Sequence, residues 1–195
     1  MASEAPYPQG WIQTRFGRFD PDHPVFDVRD IAHALGMIVR YNGHVKRFYS
    51  VAEHSVLVCA LMREVTGGDP YEGLLHDATE AYLSDVPKPF KKLLPELGAW
   101  DERMESDLRR QFGLPHPSTP ECKRADGLAL RIESHFLMPD GGKGYYYPPG
   151  IQEQGDDLIE KGWRVTGLEP VSATNFWHHV FSHYTLKRHA ATKKG

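Results

Sequence analysis

Four side chains that a hydrophobic core does not ordinarily hold sit inside three apolar, helix-like segments: His54, the adjacent pair His76-Asp77, and the distant Asp126. Two imidazoles and two carboxylates converging on one point make a transition-metal site of mixed nitrogen and oxygen ligands. If they converge, the three segments must pack against one another, and that requirement restricts the fold more than any other feature of the chain. Glu80 and Asp85 follow the His-Asp pair closely and have no obvious ligand role. A metal with spare acids beside it points to metal-assisted hydrolysis.

The chain has 195 residues, which fits a single domain, expected over 11–190, with a flexible N-terminus over 1–10 and a loose tail over 191–195. A chain of this size buries roughly 70% of its unfolded surface. Apolar residues make up 40% and the formal net charge is -3, so no global basic field calls for a nucleic-acid polymer. Only two cysteines occur, Cys59 and Cys122. A disulfide framework or a cysteine zinc site has little support, and Cys59 reads as a small core residue. The first residues lack the charged and apolar regions of a signal peptide. No apolar run approaches the 18 or so residues of a spanning helix. A cytoplasmic protein without a membrane partner is the expectation.

Periodicity predicts an all-α, moderately irregular chain. TRFGRFDPDHP is a turn-rich polar opening. Asp27 is placed to cap a helix through Ile31, Ala34, Leu35 and Ile38. RYNGHVKRFY is a basic and aromatic loop. Ser50 and Glu53 have capping-box spacing at the head of the helix bearing His54, which runs to Gly67-Gly68. Asp69-Pro70 opens a helix carrying His76, Asp77, Glu80 and Leu83. DVPKPFKKLLPE holds a short helix between turns, and Trp100 to Phe112 another. Thr119 or Ser118 caps the helix of Asp126, Leu130 and Phe136. PDGGKGYYYPPG ends regular structure, as a lid or subunit-contact loop. A last helix runs from Ala173 through Tyr184.

On a helix, positions i, i+3 and i+4 share a face, so Glu80 lies near both His76 and Asp77. Adjacent residues splay by about 100°, so one ion bound by both His76 and Asp77 must sit in the notch between them. A structural alternative stands beside each of these residues. His54 or His76 can be a hydrogen-bonded core histidine, and Asp126 can be compensated by Arg131 or Lys123. The cluster Arg40, Lys46, Arg47 and the cluster Lys88, Lys91, Lys92 read as solvated surface or as phosphate ligands. The rings of Tyr41, Phe48 and Tyr49 can stack on a base or pack in the core. His178, His179 and His183 read as a polar helix face.

The pattern His54, His76-Asp77, Asp126, within the phrases RFYSVAEHSVLV, LLHDATEAYLSDVPKPFK and KRADGLAL, resembles the HD-domain phosphohydrolase superfamily. It is most similar to the 5′-deoxynucleotidase-like branch, which includes phage dATP triphosphohydrolase-like proteins. The resemblance runs from about Trp11 to Phe136. It implies an α-helical bundle with one divalent metal between core helices, held by His54, His76, Asp77 and Asp126. It implies Glu80 as catalytic acid or base, Asp85 as an acid near phosphate and sugar, and Arg40 and Lys91 on phosphate, with Lys88 assisting. Tyr41 stands where the branch often has tryptophan, and Gly43 where the phage subgroup has a bulky residue that shapes adenine selection. The sequel Glu80-Ala81 departs from the guanosine-tetraphosphate hydrolases, and ATEAYLSD from the large triphosphohydrolases.

The implied activity is release of a nucleoside from a (deoxy)nucleoside 5′-monophosphate. The alternative is release of triphosphate from a dNTP. The ligand set favours Mn, Co, Fe, Ni or Zn over Ca, with Mg admissible. A di-iron HD oxygenase is a rival of another class and needs His44 or His135 as extra ligands; a non-catalytic nucleotide sensor is a second. A small-molecule nucleotide is the expected partner, and a homo-oligomer contacting through GYYYPP the expected assembly.

Overall fold

The computed structural model describes residues 10–192, the Lys88 and Thr192 side chains excepted; the first nine residues of the expected flexible N-terminus and the last three of the expected tail lie outside them. A hairpin of β1 (Ile12–Gln13) and β2 (Arg18–Phe19) pairs Ile12 with Phe19. Its strands are too short to register as alternation in the sequence. All other regular structure described is helical.

α1 (Val28–Met37) is capped by Asp27, which accepts from the Arg29 amide at 2.8 Å. α2 (Val51–Leu61) is capped by the Ser50 hydroxyl, which accepts from the Glu53 amide at 3.2 Å. A π turn, Met62–Thr66, carries the chain to left-handed Gly67. α3 (Pro70–Leu75) starts with Asp69 as cap and proline in the first turn. α4 (Glu80–Leu83) and α5 (Lys88–Leu93) are short. α6 (Pro95–Phe112), α7 (Pro120–Leu137), α8 (Ile151–Glu160) and α9 (Pro170–Thr192) complete the chain. Thr119, rather than Ser118, caps α7 by accepting from Cys122.

α2 occupies the centre. Its sequence, VAEHSVLVCAL, is apolar or small on nearly every side, and a helix of that kind must be covered on every side. α1, α3, α7 and α9 pack on it. Two hydrophobic clusters meet there: Val51, Ala52 and Cys59 join Ile31, Leu74, Leu108 and Trp177, while Val58, Leu61 and Met62 join Ala125, Leu128 and Ile132. Each fully buried Val, Leu or Ile contributes about 1.5–3 kcal/mol, so a polar residue mid-way along α2 displaces substantial stabilisation.

Several boundaries differ from the sequence expectation. The single helix expected from Asp69-Pro70 to Leu83 is broken between α3 and α4. There the amides of Ala78, Glu80, Ala81 and Tyr82 bond to carbonyls three residues back, winding the chain more tightly than an α-helix. α6 begins at Pro95 instead of Trp100, because proline is favourable in a first turn, where its missing N–H costs nothing. α9 begins at Pro170 instead of Ala173 and runs to Thr192, through the first two residues of the expected tail. α8 was not expected: only Ile151, Gly155 and Leu158 are buried from IQEQGDDLIE, with Ile159 packed beside them, too thin a stripe to stand out. None of the helices described is long and apolar enough to cross a membrane.

Candidate metal centre

His54 is fully buried on α2. Its Nδ1 lies 2.7 Å from Glu133 Oε1, which α7 supplies. His76 stands at the break after α3, and its Nδ1 lies 2.8 Å from the Gly73 carbonyl. A carbonyl and a carboxylate can only accept, so each imidazole carries a proton on Nδ1 and turns its Nε2 forward. The two Nε2 atoms face each other at 3.2 Å.

Asp77 Oδ2 lies 3.3 Å from His54 Nε2 and 3.2 Å from His76 Nε2. Asp126 Oδ1, from α7, lies 3.3 Å and 3.9 Å from the same two atoms. His54, His76 and Asp126 each offer a ligand atom within 4.8 Å of the others, and Asp77 Oδ2 stands beside the two imidazoles. Imidazole nitrogens and carboxylate oxygens at such spacing need a proton or a metal ion among them. An ion with ligand bonds of about 2.0–2.2 Å holds neighbouring ligand atoms about 3 Å apart; the donors of His54, His76 and Asp126 fit a metal ion. The tight turn at His76–Thr79 is what brings both members of the His-Asp pair to one point, where an uninterrupted helix would splay them.

The structural alternatives resolve around this point. Arg131 pairs with Asp156 and reaches the Gly141 carbonyl, and Lys123 is exposed, so the groups next to Asp126 are the imidazoles. Tyr49 is core. His44 and His135 are both exposed and stand outside the cluster.

Acid outweighs base here. Burial and the nearby Arg40 both disfavour a charged His54, yet Glu133, Asp126 and Asp77 hold its basicity well above that of a free imidazole. Burial pushes the Glu133 carboxyl up, but His54 and Arg40 bring it below its usual range. Glu80 moves the other way: burial, then the charges of Asp77 and Asp85, raise it well above an ordinary carboxyl. Its Oε2 is buried without a hydrogen-bond partner. A proton held on a carboxyl beside a metal centre is the equipment of a general acid.

Arg40 is buried, placed by the pairing of its amide with the Tyr49 carbonyl ahead of α2. Its guanidinium lies 3.4 Å from Glu133, 3.6 Å from Asp77 and 4.0 Å from Asp85, and its Nε has no partner. These contacts are long, and they leave donors for another anion. Tyr41 follows in the left-handed region (φ 56°), a conformation that costs a non-glycine residue roughly 1–2 kcal/mol. In return its hydroxyl donates to Glu133 Oε2 at 2.7 Å. Ser84, also at positive φ (69°), turns the chain so that Asp85 lines the same space.

That space is a cavity of about 510 Å³. Arg40, Asp77, Glu80, Asp85, Lys91 and Asp126 line its ionic side, and Tyr41, Val86, Leu130 and Tyr145 its apolar side. Lys91 binds Asp101 at 2.6 Å while keeping its place on the wall. Gly43 does not line the cavity. It is exposed in a turn with φ 78°, which explains a glycine there by backbone conformation. The expected role of Lys88 rests on a side chain outside the described residues.

Two residues were missed. Glu133 follows Asp126 by two helical turns on α7, so helical spacing alone puts both acids on one face. Tyr145 had no such signal, since a loop without period carries it to the cavity.

No protein-family model matches the chain. It is 39% identical over 124 residues to the uncharacterized protein YfdR of Escherichia coli (strain K12), covering 64% of this chain and 68% of that protein. It is 34% identical over 144 residues to the uncharacterized protein RCAP_rcc00048 of Rhodobacter capsulatus, covering 66% of this chain and 74% of that one.

Proposed function

We propose that this chain, which belongs to the same family as these two bacterial proteins, is a metal-dependent phosphohydrolase of nucleotides with an HD-domain architecture. One observation carries the reading. The two Nε2 atoms lie 3.2 Å apart and each stands 3.2–3.9 Å from a carboxylate oxygen of Asp77 and of Asp126, at the wall of a cavity that also presents Glu80, Asp85, Arg40 and Lys91.

His54, His76, Asp77 and Asp126 would hold the ion, with Mn, Co, Fe, Ni and Zn all suited to the set. When bound, such an ion supplies Lewis-acid activation of water and neutralises phosphoryl charge. The chain supplies the rest. Glu133 holds His54 in the tautomer that leaves Nε2 free, as a hydrogen-bonded carboxylate does for a ligating histidine. Glu80, with its proton retained by burial and like charge, donates to the leaving oxygen. Asp85 orients water or sugar. Arg40 and Lys91 bind the phosphate oxygens, Arg40 with its unused donors and Lys91 as a point charge.

The favoured substrate is a (deoxy)nucleoside 5′-monophosphate, and release of triphosphate from a dNTP is the second reading. Chromatographic product analysis decides between them, with metal-stripped protein reloaded with Mn or Co and given dNMPs, NMPs and dNTPs. Nucleoside plus orthophosphate from monophosphates is the expected result. Nucleoside plus intact triphosphate establishes the second reading, and no product from any substrate with either metal overturns both.

A further inference from the structure

The apolar side of the cavity ends in Tyr145, which lies on the loop between α7 and α8 and is 37% exposed. Tyr147 stacks against it with ring centroids 6.4 Å apart, and Tyr41 meets it edge-on at 6.3 Å. The ring is therefore braced by two others.

The loop that carries it is built to hold one shape. Asp140 accepts from the amides of Gly142 and Gly144 at 2.9 Å and 3.1 Å. Tyr147 reaches back to α7, its hydroxyl 2.5 Å from Ser134 Oγ. Gly142 lies at φ 78°, and a Cβ there would stand 2.5 Å from Ser134 Oγ and 2.7 Å from the Tyr147 hydroxyl. Only glycine allows so close an approach. An exposed aromatic ring in a loop ordinarily moves freely; this one is fixed at the wall of a charged cavity.

We propose that Tyr145 is a specificity-determining residue, and that its ring stacks on the planar base of a nucleotide whose phosphate lies among Arg40, Lys91 and the metal ligands. The inference rests on the nucleotide reading above and deepens it. The two sides of the cavity divide the ligand: cations and metal ligands suit a phosphate, and a braced aromatic ring suits a π-face of any base. Recognition of this kind is tolerant of base identity, because stacking reads shape and polarisability and not a hydrogen-bond pattern. Preference among bases is therefore weak, while preference for a base over none is strong.

The test compares a dNMP with deoxyribose 5-phosphate, which has the same phosphate and sugar and no base. Calorimetric affinities of both are measured on the metal-loaded full chain, for wild type, Tyr145→Ala and Tyr145→Phe. The wild type should prefer the dNMP, and Tyr145→Ala should reduce the ratio of affinities by about tenfold or more. Tyr145→Phe keeps the ring and should keep the ratio. A ratio unchanged in Tyr145→Ala overturns the inference, as does a wild type that gains nothing from the base, or a ratio lost equally in Tyr145→Phe. Turnover in the same samples separates the two readings: no hydrolysis by wild type defeats the hydrolytic reading, while the affinity ratio still judges the role of Tyr145.

Discussion

Glu72 and Arg109 form one buried charged cluster, where α3 and α6 meet the start of α7; the residues around His54 form another. In the first, Glu72 Oε1 accepts from Arg109 at 3.0 Å, the Thr119 amide at 3.0 Å and Ser118 at 3.3 Å. Glu72 Oε2 accepts from the Thr119 hydroxyl at 2.7 Å. Arg109 also donates to Glu105 and the Pro115 carbonyl, each at 2.7 Å. Both Glu72 oxygens are bonded, and Arg109 Nη2 is the buried donor left without a partner. In the second cluster Asp77, Glu80, Asp85, Asp126 and Glu133 outnumber Arg40, and two imidazole nitrogens and two carboxylate oxygens point at one another. Burial is the same in kind, yet the Glu72 carboxylate of the first cluster is bonded within the chain at each oxygen, while in the second the buried Glu80 Oε2 has no partner and the imidazole nitrogens face one another and the acids. The contrast separates a structural ion pair from a binding site more clearly than burial or charge does.

The largest test of that contrast lies at Glu80. Glu80→Gln should lower turnover by about 10²–10⁴-fold, the usual contribution of a general acid or base, with metal content unchanged by elemental analysis. Retained turnover would remove Glu80 from the mechanism. Arg109→Met should do the reverse. It strands a buried carboxylate, and breaking such a pair costs about 3–5 kcal/mol. Denaturant unfolding should show the loss, while protein that remains folded keeps its turnover. Loss of turnover in fully folded Arg109→Met would mean that the two clusters are coupled.

Glu133→Gln tests a group that touches the proposed ligand His54 directly and the proposed ligand Asp77 through Arg40. Such a substitution typically weakens metal affinity about 10–100-fold. A competitive chelator titration reads this directly, and an unchanged affinity would make Glu133 a partner of Arg40 and Tyr41 alone.

The acid response of stability belongs to the first cluster. Burial raises the Glu72 carboxyl, but Thr119 and Arg109 outweigh it and hold it below its ordinary value of 4.5. A carboxyl lowered by folding stabilises the protein fully above that value and loses the contribution as pH falls through the folded one. Below about pH 4.5, unfolding free energy should therefore fall more steeply in wild type than in Glu72→Gln. Parallel curves would assign the acid loss to other carboxylates. The smallest effect is at the head of α2. Ser50→Ala removes the acceptor for the Glu53 amide and should cost about 1 kcal/mol in thermal or denaturant unfolding.

Local signals in the sequence foretold much of this. Asp27, Ser50, Asp69 and Thr119 cap the helices that their spacing predicts, because a cap acts on amides two or three residues away. His54, His76, Asp77 and Asp126 were legible as a group, since each stood alone in apolar surroundings. The break after α3 was not legible: HDATEAYL has no glycine or proline to announce it, and good helix formers surround it. α8 escaped because three buried residues make a faint period. Tyr145 escaped because its position depends on Asp140, Gly142 and Tyr147 folding the loop back onto α7.

The sequence by itself determined where α1, α2, α3 and α7 begin, that α2 is apolar or small on nearly every side, and which side chains are candidates for chemistry. Those properties depend on local hydrogen bonding and on the period of apolar positions, both contained in a short stretch of chain. The tertiary structure alone decided that His76 and Asp77 face one point, that Glu133 fixes His54, that Arg131 is occupied by Asp156 and so leaves Asp126 to the imidazoles, and that Gly43 stands off the cavity. Each of those outcomes depends on distances between residues far apart in sequence, or on a turn held by the packing around it, and no local pattern records either.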